Sequence, residues 1–124
     1  GCARGLQLAG AGTAKDGPFT ARYYLTIAHY QLRQYKEAIE AGTPFLIEAP
    51  EHIAAQYVAM IIHASLLHQF NAAAVDKRGV FAEKLLALNE SVNRHWPESE
   101  AAKRTAATAT KMKEYLKRKQ AQQE

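Results

Sequence analysis

Apolar residues recur at every third or fourth position through five stretches of this sequence, and no run alternates long enough to predict a strand. This spacing gives each stretch one apolar helical face, whereas a half-buried strand needs strict alternation. The predicted apolar faces are Tyr24, Ile27, Ala28 and Leu32 on the first helix, Phe81, Leu85, Leu88, Val92 and Trp96 on the fourth, and Ala102, Thr105, Ala109, Met112 and Leu116 on the fifth. Prolines follow the second and fourth stretches, where a helix would have to stop. The predicted helices span residues 19–32, 35–49, 52–69, 81–96 and 99–119. The sequence therefore predicts an all-α fold.

The 124 residues are enough for one modest domain, and five of the seven glycines lie before Phe19. We therefore predict a poorly ordered segment at residues 1–18, a helical domain at 19–119 and a frayed tail at 120–124. Inside the second helix, Pro44 predicts a kink or a restart near Thr43.

The third helix is apolar on nearly every face, which is typical of a helix covered on several sides. Residues 52–75 contain no charged side chain and are long enough to span a bilayer. Gln56 and His63 interrupt the apolar centre, however, and this favours a buried helix over a membrane span.

The helix pairs and prolines follow the pattern of the tetratricopeptide repeat, a unit of about 34 residues that ends in proline. If that proline is Pro50, then Leu25 and Ala38 occupy the leucine and alanine positions of the repeat. Pro97 comes 47 residues after Pro50, which indicates a lengthened connector around residues 67–79. We expect a short tetratricopeptide-like stack of antiparallel helix pairs, with this connector in the second pair.

Several short motifs occur in the order seen in a known family. They are Gly17-Pro18, Ala28-His29-Tyr30, Ala38-Ile39, Gln56-Tyr57-Val58-Ala59-Met60, Phe70, Val75-Asp76-Lys77-Arg78, Trp96-Pro97-Glu98-Ser99 and Lys113-Glu114-Tyr115. Over residues 17–119 the chain resembles the middle repeats of the BamD family of outer-membrane assembly lipoproteins, also called YfiO or ComL. The family's first repeat and last two repeats have no recognisable counterpart here. The resemblance implies a periplasmic, outer-membrane-associated scaffold for β-barrel insertion, with subunits of a membrane complex as partners.

The single cysteine, Cys2, excludes an internal disulfide. Gly1-Cys2 has the form of a lipoprotein cleavage site, in which a small residue precedes an acylated cysteine, although no upstream apolar signal is visible. The alternative is that Cys2 is an ordinary cysteine that carries no lipid. We expect membrane association only through such an anchor or through partners.

Neither a catalytic nor a metal site is predicted. No Ser, His and acid fall in a recognisable nucleophile setting, and no HExxH motif is present. His63 and His68 are five residues apart, so they do not share a helix face well. We therefore predict no enzyme activity, no metal ion and no cofactor.

The C-terminal helix carries five basic residues and one glutamate between positions 110 and 119. We predict that these lysines are solvated and complement the negative end of the helix dipole. Contact with acidic partners, lipid headgroups or nucleic acid is the alternative. The net charge of only +4 and the lack of flanking base-stacking aromatics argue against nucleic acid.

In stacked helix pairs, the first helix of each pair lines a concave surface that binds extended or helical peptides. The predicted partner-binding groove consists of Tyr23, Ile27, Tyr30, Gln31, Ala59, Ile62 and His63. The alternative is that these residues pack in the protein's own core or against a neighbouring repeat. We predict a protein-binding scaffold that recognises other proteins or peptides. A structural subunit packed permanently in a larger assembly is the second hypothesis, and a nucleic-acid adaptor is the third.

Overall fold

A computed structural model describes residues 17–123, and in that range the protein is all-α, which confirms the predicted fold class. Helices account for 86% of the described residues, and none of these residues forms a strand. The elements are α1 (Gly17–Gln31), α2 (Tyr35–Glu48), α3 (Ala55–Ala72), a 3₁₀ turn (Val75–Lys77), α4 (Arg78–His95) and α5 (Glu100–Gln123). Most of the predicted poorly ordered segment 1–18 lies outside the described residues.

The chain divides into two compact units, unit 1 (Gly1–Ile61) and unit 2 (Ile62–Glu124), and the division falls inside α3. The sequence predicts one helical domain over residues 19–119. Two units arise because each helix pair, α1 with α2 and α4 with α5, buries its own apolar faces.

In unit 1, α1 and α2 are antiparallel. The ring of Phe19, near the start of α1, lies 5.7 Å from that of Phe45, near the end of α2. At the other end of the pair, the rings of Tyr30 and Tyr35 are 5.8 Å apart. Aromatic contacts at both ends therefore fix the register of this predicted helix pair.

The buried face of α2 agrees with the sequence pattern, because Ala38, Gly42 and Phe45 are buried at spacings of four and three. Pro44 lies inside one continuous helix, and the predicted restart near Thr43 is not found. An interior proline loses its N–H bond and crowds the carbonyl of the preceding turn, but at Pro44 neither effect ends the helix. The Thr43 hydroxyl donates to the carbonyl of Ile39 at 2.7 Å.

The buried face of α1 differs from the prediction. Tyr24 and Leu32, predicted on the apolar face, are 56% and 67% exposed, whereas Thr26 is fully buried. The Thr26 hydroxyl donates to the carbonyl of Arg22 at 2.7 Å, so its burial leaves no unpaired polar atom. The small Thr26 side chain is fully buried, whereas Tyr24, Leu25 and Leu32 of α1 are exposed.

In unit 2, α4 and α5 form a second antiparallel pair. Asn89 in the middle of α4 donates to the hydroxyl of Thr105 at 2.9 Å. The start of α4 lies beside the C-terminal half of α5, because a Cβ on Gly79 would be 3.8 Å from Leu116. The predicted apolar stripes are confirmed. The buried residues of the two stripes are Leu85, Leu88 and Val92 on α4, and Ala102, Thr105, Ala109 and Met112 on α5.

The second half of α3 runs parallel to α5. His63 bonds to Thr108 at 2.8 Å, and the ring of Phe70 lies 5.1 Å from that of Tyr115. From the first contact to the second, the residue number increases by seven on both helices. It increases on both because the two helices run in the same direction. A parallel arrangement of alternate helices is the pattern of a repeat stack.

The connector after α3 is shorter than predicted, because α3 continues to Ala72 and α4 begins at Arg78. The guanidinium of Arg78 donates to the carbonyl of Ala73 at 3.1 Å, and the Tyr115 hydroxyl donates to the carbonyl of Val75 at 3.3 Å. The first bond pairs a carbonyl just after α3 and the second pairs one in the 3₁₀ turn, so both hold the connector in place.

Helix α3 is covered on several sides, as predicted, since the consecutive residues Ile61, Ile62 and His63 are all buried. Within residues 17–123, no helix has both the length and the apolar character needed to cross a membrane. The last helix, α5, extends to Gln123 instead of ending at the predicted Lys119. Its final residues, Gln, Ala, Gln and Gln, are adequate helix formers and include no breaker.

Candidate protein-binding surface

Three tyrosines of unit 1 form a continuous aromatic surface, which we call the tyrosine surface: Tyr23 and Tyr24 on α1 and Tyr57 on α3. The ring centre of Tyr23 lies 5.5 Å from that of Tyr24 and 5.9 Å from that of Tyr57. The Tyr23 and Tyr57 rings meet edge to face at 68°, an arrangement that the aromatic quadrupole favours. Tyr24 and Tyr57 are each 56% exposed, so two of the three rings face solvent.

Helix geometry explains the different burial of these rings. Consecutive residues on a helix point about 100° apart, so Tyr23 and Tyr24 cannot both face the neighbouring helix. Tyr23 is half-buried and Tyr24 is exposed. On α3, Ala55 and Val58 are fully buried, and Tyr57 lies off that buried stripe.

The half-buried position of Tyr23 changes its acidity. Burial raises the pKa of the Tyr23 hydroxyl, and the neighbouring Tyr57 and Tyr24 phenols raise it further because their ionised forms would repel its own. Tyr23 is therefore fully protonated at neutral pH and keeps a hydroxyl that can donate or accept. The tyrosine surface contains no Asp, Glu, Lys, Arg or His side chain.

Contacts beside the tyrosine surface hold its supporting elements together. Arg22 on α1 forms an ion pair with Glu48 at the end of α2, and its guanidinium lies 5.9 Å from the Phe19 ring. In the loop before α3, the His52 ring packs edge to face on the buried Phe45 at 5.0 Å. The His52 ring nitrogen also accepts the amide of Ala54 at 3.0 Å, immediately before α3 begins.

The groove residues predicted on α1 are at least partly accessible to solvent. Tyr23, Ile27 and Tyr30 are half-buried, and Gln31 is exposed. In contrast, Ala59, Ile62 and His63 are 0%, 4% and 8% exposed, so they belong to the buried interior and not to a surface groove. The predicted alternative, that groove residues pack in the protein's own core, describes these three. The reason is that α3 is apolar on several faces and is covered on several sides.

His63 is a buried structural histidine of unit 2. Its Nε2 atom bonds to the hydroxyl of Thr108 at 2.8 Å. Burial lowers the pKa of His63 below its ordinary value of 6.5, and the positive charge of Arg104 lowers it further. The imidazole is therefore neutral at neutral pH.

The other histidines are dispersed. His29 bonds to Gln34 at 2.7 Å, His52 packs on Phe45, and His95 lies beside Trp96. Among the described residues, no three His, Cys, Asp or Glu side chains come close enough to hold a metal ion. Cys2, the predicted lipidation site, lies outside the described residues.

Tyr24 and Tyr57 are not among the residues predicted for the groove, because the apolar spacing of α1 predicts Tyr24 on the buried face of that helix. Two signals were available. Adjacent tyrosines on one helix cannot both be buried in the same direction, and Tyr57 is out of phase with Ala55 and Val58. Comparison with known proteins finds no matching family model, no matching curated protein and no matching solved structure.

Proposed function

We propose that this chain is a non-catalytic protein-binding module of tetratricopeptide type, and that the tyrosine surface is its docking site. The observation that carries the proposal is that two tyrosine rings are more than half exposed while both contact a third, half-buried ring. Tyrosine is enriched among the residues that dominate binding energy at protein interfaces. A preformed aromatic surface loses little conformational entropy when a partner binds.

The packing of Tyr23 supports this role. Its ring is held between Tyr24 and Tyr57, so the positions of the two exposed rings depend on each other. The half-buried Ile27 and Tyr30 continue the same side of α1 at four- and seven-residue spacing. An uncharged, partly apolar strip of this kind suits an extended or helical peptide.

Site-specific photo-crosslinking in the native host tests the proposal. A benzophenone amino acid at position 24 is expected to form an adduct with a specific protein, and Tyr57→Ala in the same chain is expected to abolish that adduct. A benzophenone at Lys36, an exposed position on α2 of the same unit, is the matched control. The proposal would be contradicted if positions 24 and 36 gave the same adduct in equal yield. It would also be contradicted if Tyr57→Ala left the yield of the adduct at position 24 unchanged.

The cellular setting that we propose is the periplasmic side of the outer membrane, in β-barrel assembly or another envelope complex. It rests on the resemblance of residues 17–119 to the BamD family, with Cys2 as the lipidation site. Envelope fractionation of the native protein, with mass spectrometry of its Cys2 peptide, tests this setting. A cytosolic protein with an unmodified cysteine would contradict it.

A second candidate function, a structural subunit within a larger assembly, is favoured by other exposed apolar side chains of unit 1. Leu32, Ile47 and Ile53 are 67%, 75% and 96% exposed. Large apolar side chains left exposed in one unit suit burial against a neighbouring subunit. Sedimentation of the purified chain separates the two functions, because an obligate subunit would self-associate or aggregate and a docking module would remain monomeric.

A further inference from the structure

A groove lies on the surface of unit 2 where α4 and α5 meet, and it shares no residue with the tyrosine surface. Its volume is about 460 Å³. Leu86 of α4 and Leu116 of α5, both half-buried, contribute its apolar side chains. Lys113 and Lys117 line it from α5, one helical turn apart and both exposed. We call this the lysine groove.

The helix dipole does not account for these two lysines. The sequence predicts that they stabilise the C-terminal end of the last helix, but α5 continues to Gln123 and its last turn contains no basic residue. A favourable interaction with the dipole falls off within the last turn. Lys117 lies more than one turn before that end, and Lys113 lies more than two turns before it.

No carboxylate of the described residues neutralises the two lysines. Glu114, the acidic residue of the lysine groove, forms its ion pair with Arg118, at 3.7 Å. Neither Lys113 nor Lys117 lies within ion-pair distance of an acidic side chain in the part of the chain described. Two like charges four residues apart on a helix repel each other. The lysine groove therefore combines apolar side chains with two lysines that form no ion pair within the described residues.

We propose that the lysine groove binds an acidic amphipathic helix of a partner protein. Apolar side chains of that helix contact Leu86 and Leu116, and glutamates or aspartates four residues apart pair with Lys113 and Lys117. The excess of five basic residues over one acidic residue between positions 110 and 119 attracts such a segment from a distance. This second docking site lies in unit 2 and does not depend on the proposed role of the tyrosine surface.

The shape and chemistry of the groove favour a helix over two other anionic partners. Apolar side chains inserted at helical spacing fit a concave site between two helices, whereas a bilayer presents a broad surface of headgroups. Single-stranded nucleic acid binds through aromatic stacking platforms, and no aromatic residue lines this groove.

Fluorescence anisotropy with the full chain and a labelled synthetic peptide tests the proposal. The probe is an amphipathic helix with leucines at three- and four-residue spacing and glutamates four residues apart beside them. The double variant Lys113→Glu with Lys117→Glu is expected to weaken binding by about tenfold or more. The matched control, Lys103→Glu with Lys111→Glu, changes the net charge equally at exposed positions of α5 outside the groove, and it is expected to have a much smaller effect.

A charge-swapped peptide, with lysines in place of the glutamates, is expected to prefer the Lys113→Glu, Lys117→Glu variant, which also shows that this variant is folded. Leu86→Gln is expected to weaken the binding of the acidic peptide to the native chain and also that of the charge-swapped peptide to the double variant. Equal weakening by the groove variant and the control variant would overturn the proposal, as would no binding of the acidic peptide to the native chain. Tighter binding to phosphatidylglycerol vesicles or to a single-stranded oligonucleotide than to the peptide would also overturn it.

Discussion

Several fully buried positions in this protein carry hydroxyl groups. The hydroxyl of Thr26 bonds to the carbonyl of Arg22, and that of Thr105 bonds to Ala101 at 2.9 Å while accepting from Asn89. A threonine that bonds to the preceding helical turn meets its hydrogen-bonding needs within its own helix. Such residues can face a neighbouring helix without the cost of an unpaired polar atom.

The turn after α1 carries backbone strain at one residue, Arg33. This residue has a φ of 62°, in the left-handed region, and the amide of Gln34 donates to the carbonyl of His29 at 2.8 Å. That bond and the bond from Arg33 to Tyr30 make a helix-ending motif in which glycine is the usual left-handed residue.

We expect Arg33→Gly to stabilise the protein by about 0.5–1 kcal/mol, because glycine adopts positive φ without a steric penalty. Urea unfolding monitored by circular dichroism measures the change. Gln34→Gly is the control, since Gln34 has an ordinary φ of −94° and gains nothing from glycine. A lower unfolding midpoint for Arg33→Gly would contradict the prediction.

His63 links the stability of the protein to pH. Because its pKa is lowered in the folded state, the unfolded chain takes up the proton first as the pH falls through about 6.5. The free energy of unfolding is therefore expected to decrease below that pH, while above pH 7 both states are neutral at this residue and its contribution vanishes.

His63→Gln is expected to flatten this acid slope when unfolding is measured in urea across the range from pH 7 to pH 5. Thr108→Ala is the control, because it removes the hydrogen bond of His63 and leaves burial, the larger cause of the pKa shift, in place. The Thr108 variant should lose stability at every pH but keep the slope. An unchanged slope in His63→Gln would contradict the assignment.

At the scale of the helices, the ends are set by capping residues and by competing hydrogen bonds. Trp96 directly follows α4, and its amide donates to the carbonyl of Val92 at 2.7 Å. Ser99 directly precedes α5. The Ser99 hydroxyl accepts the amide of Ala102 at 3.0 Å, which satisfies one of the donors that a helix N-terminus leaves free.

Ser99→Ala is therefore expected to destabilise the protein by about 1 kcal/mol, the usual cost of a lost N-cap. Thermal and urea unfolding measure the loss. Ser99→Asn keeps an oxygen acceptor at the same position, so it should retain most of the stability. Equal losses in the two variants would show that the cap bond is not the cause.

At the scale of the whole molecule, each unit has its own buried residues, and the stability of unit 2 depends on the interface between α4 and α5. Leu85 is 1% exposed at that interface, while its neighbour Leu86 is half-buried in the lysine groove. These two leucines are adjacent on one helix and have the same chemistry, but they point in different directions and differ in burial.

Leu85→Ala is expected to cost about 2–5 kcal/mol, because it removes buried methyl groups and leaves a cavity. Leu86→Ala should cost clearly less, since less of its surface leaves water on folding. Urea unfolding of both variants gives the comparison. Similar losses would mean that the packing of α4 on α5 is not as described.

Sequence periodicity predicted the helices well, because helix formation depends on residues three and four apart and on prolines that cannot continue a helix. The buried faces of α2, α4 and α5 followed from the same pattern. The face of α1 did not, since large apolar residues occur around most of that helix and only packing selects which of them are buried. The local pattern predicted Tyr24 on the buried face, but the fully buried residue is Thr26.

The sequence by itself determined an all-α chain, the approximate positions of the helices between residues 17 and 123 and the pairing of α1 with α2, since these depend on local spacing and on turn residues, whereas the pairing of α4 with α5 was not predicted. Only the tertiary structure decided that Ala59, Ile62 and His63 are interior, that Tyr24 and Tyr57 are on the surface, and how Lys113 and Lys117 lie beside apolar residues of two helices. Burial and juxtaposition depend on which faces meet across the chain, and a one-dimensional pattern with several apolar faces does not specify that choice.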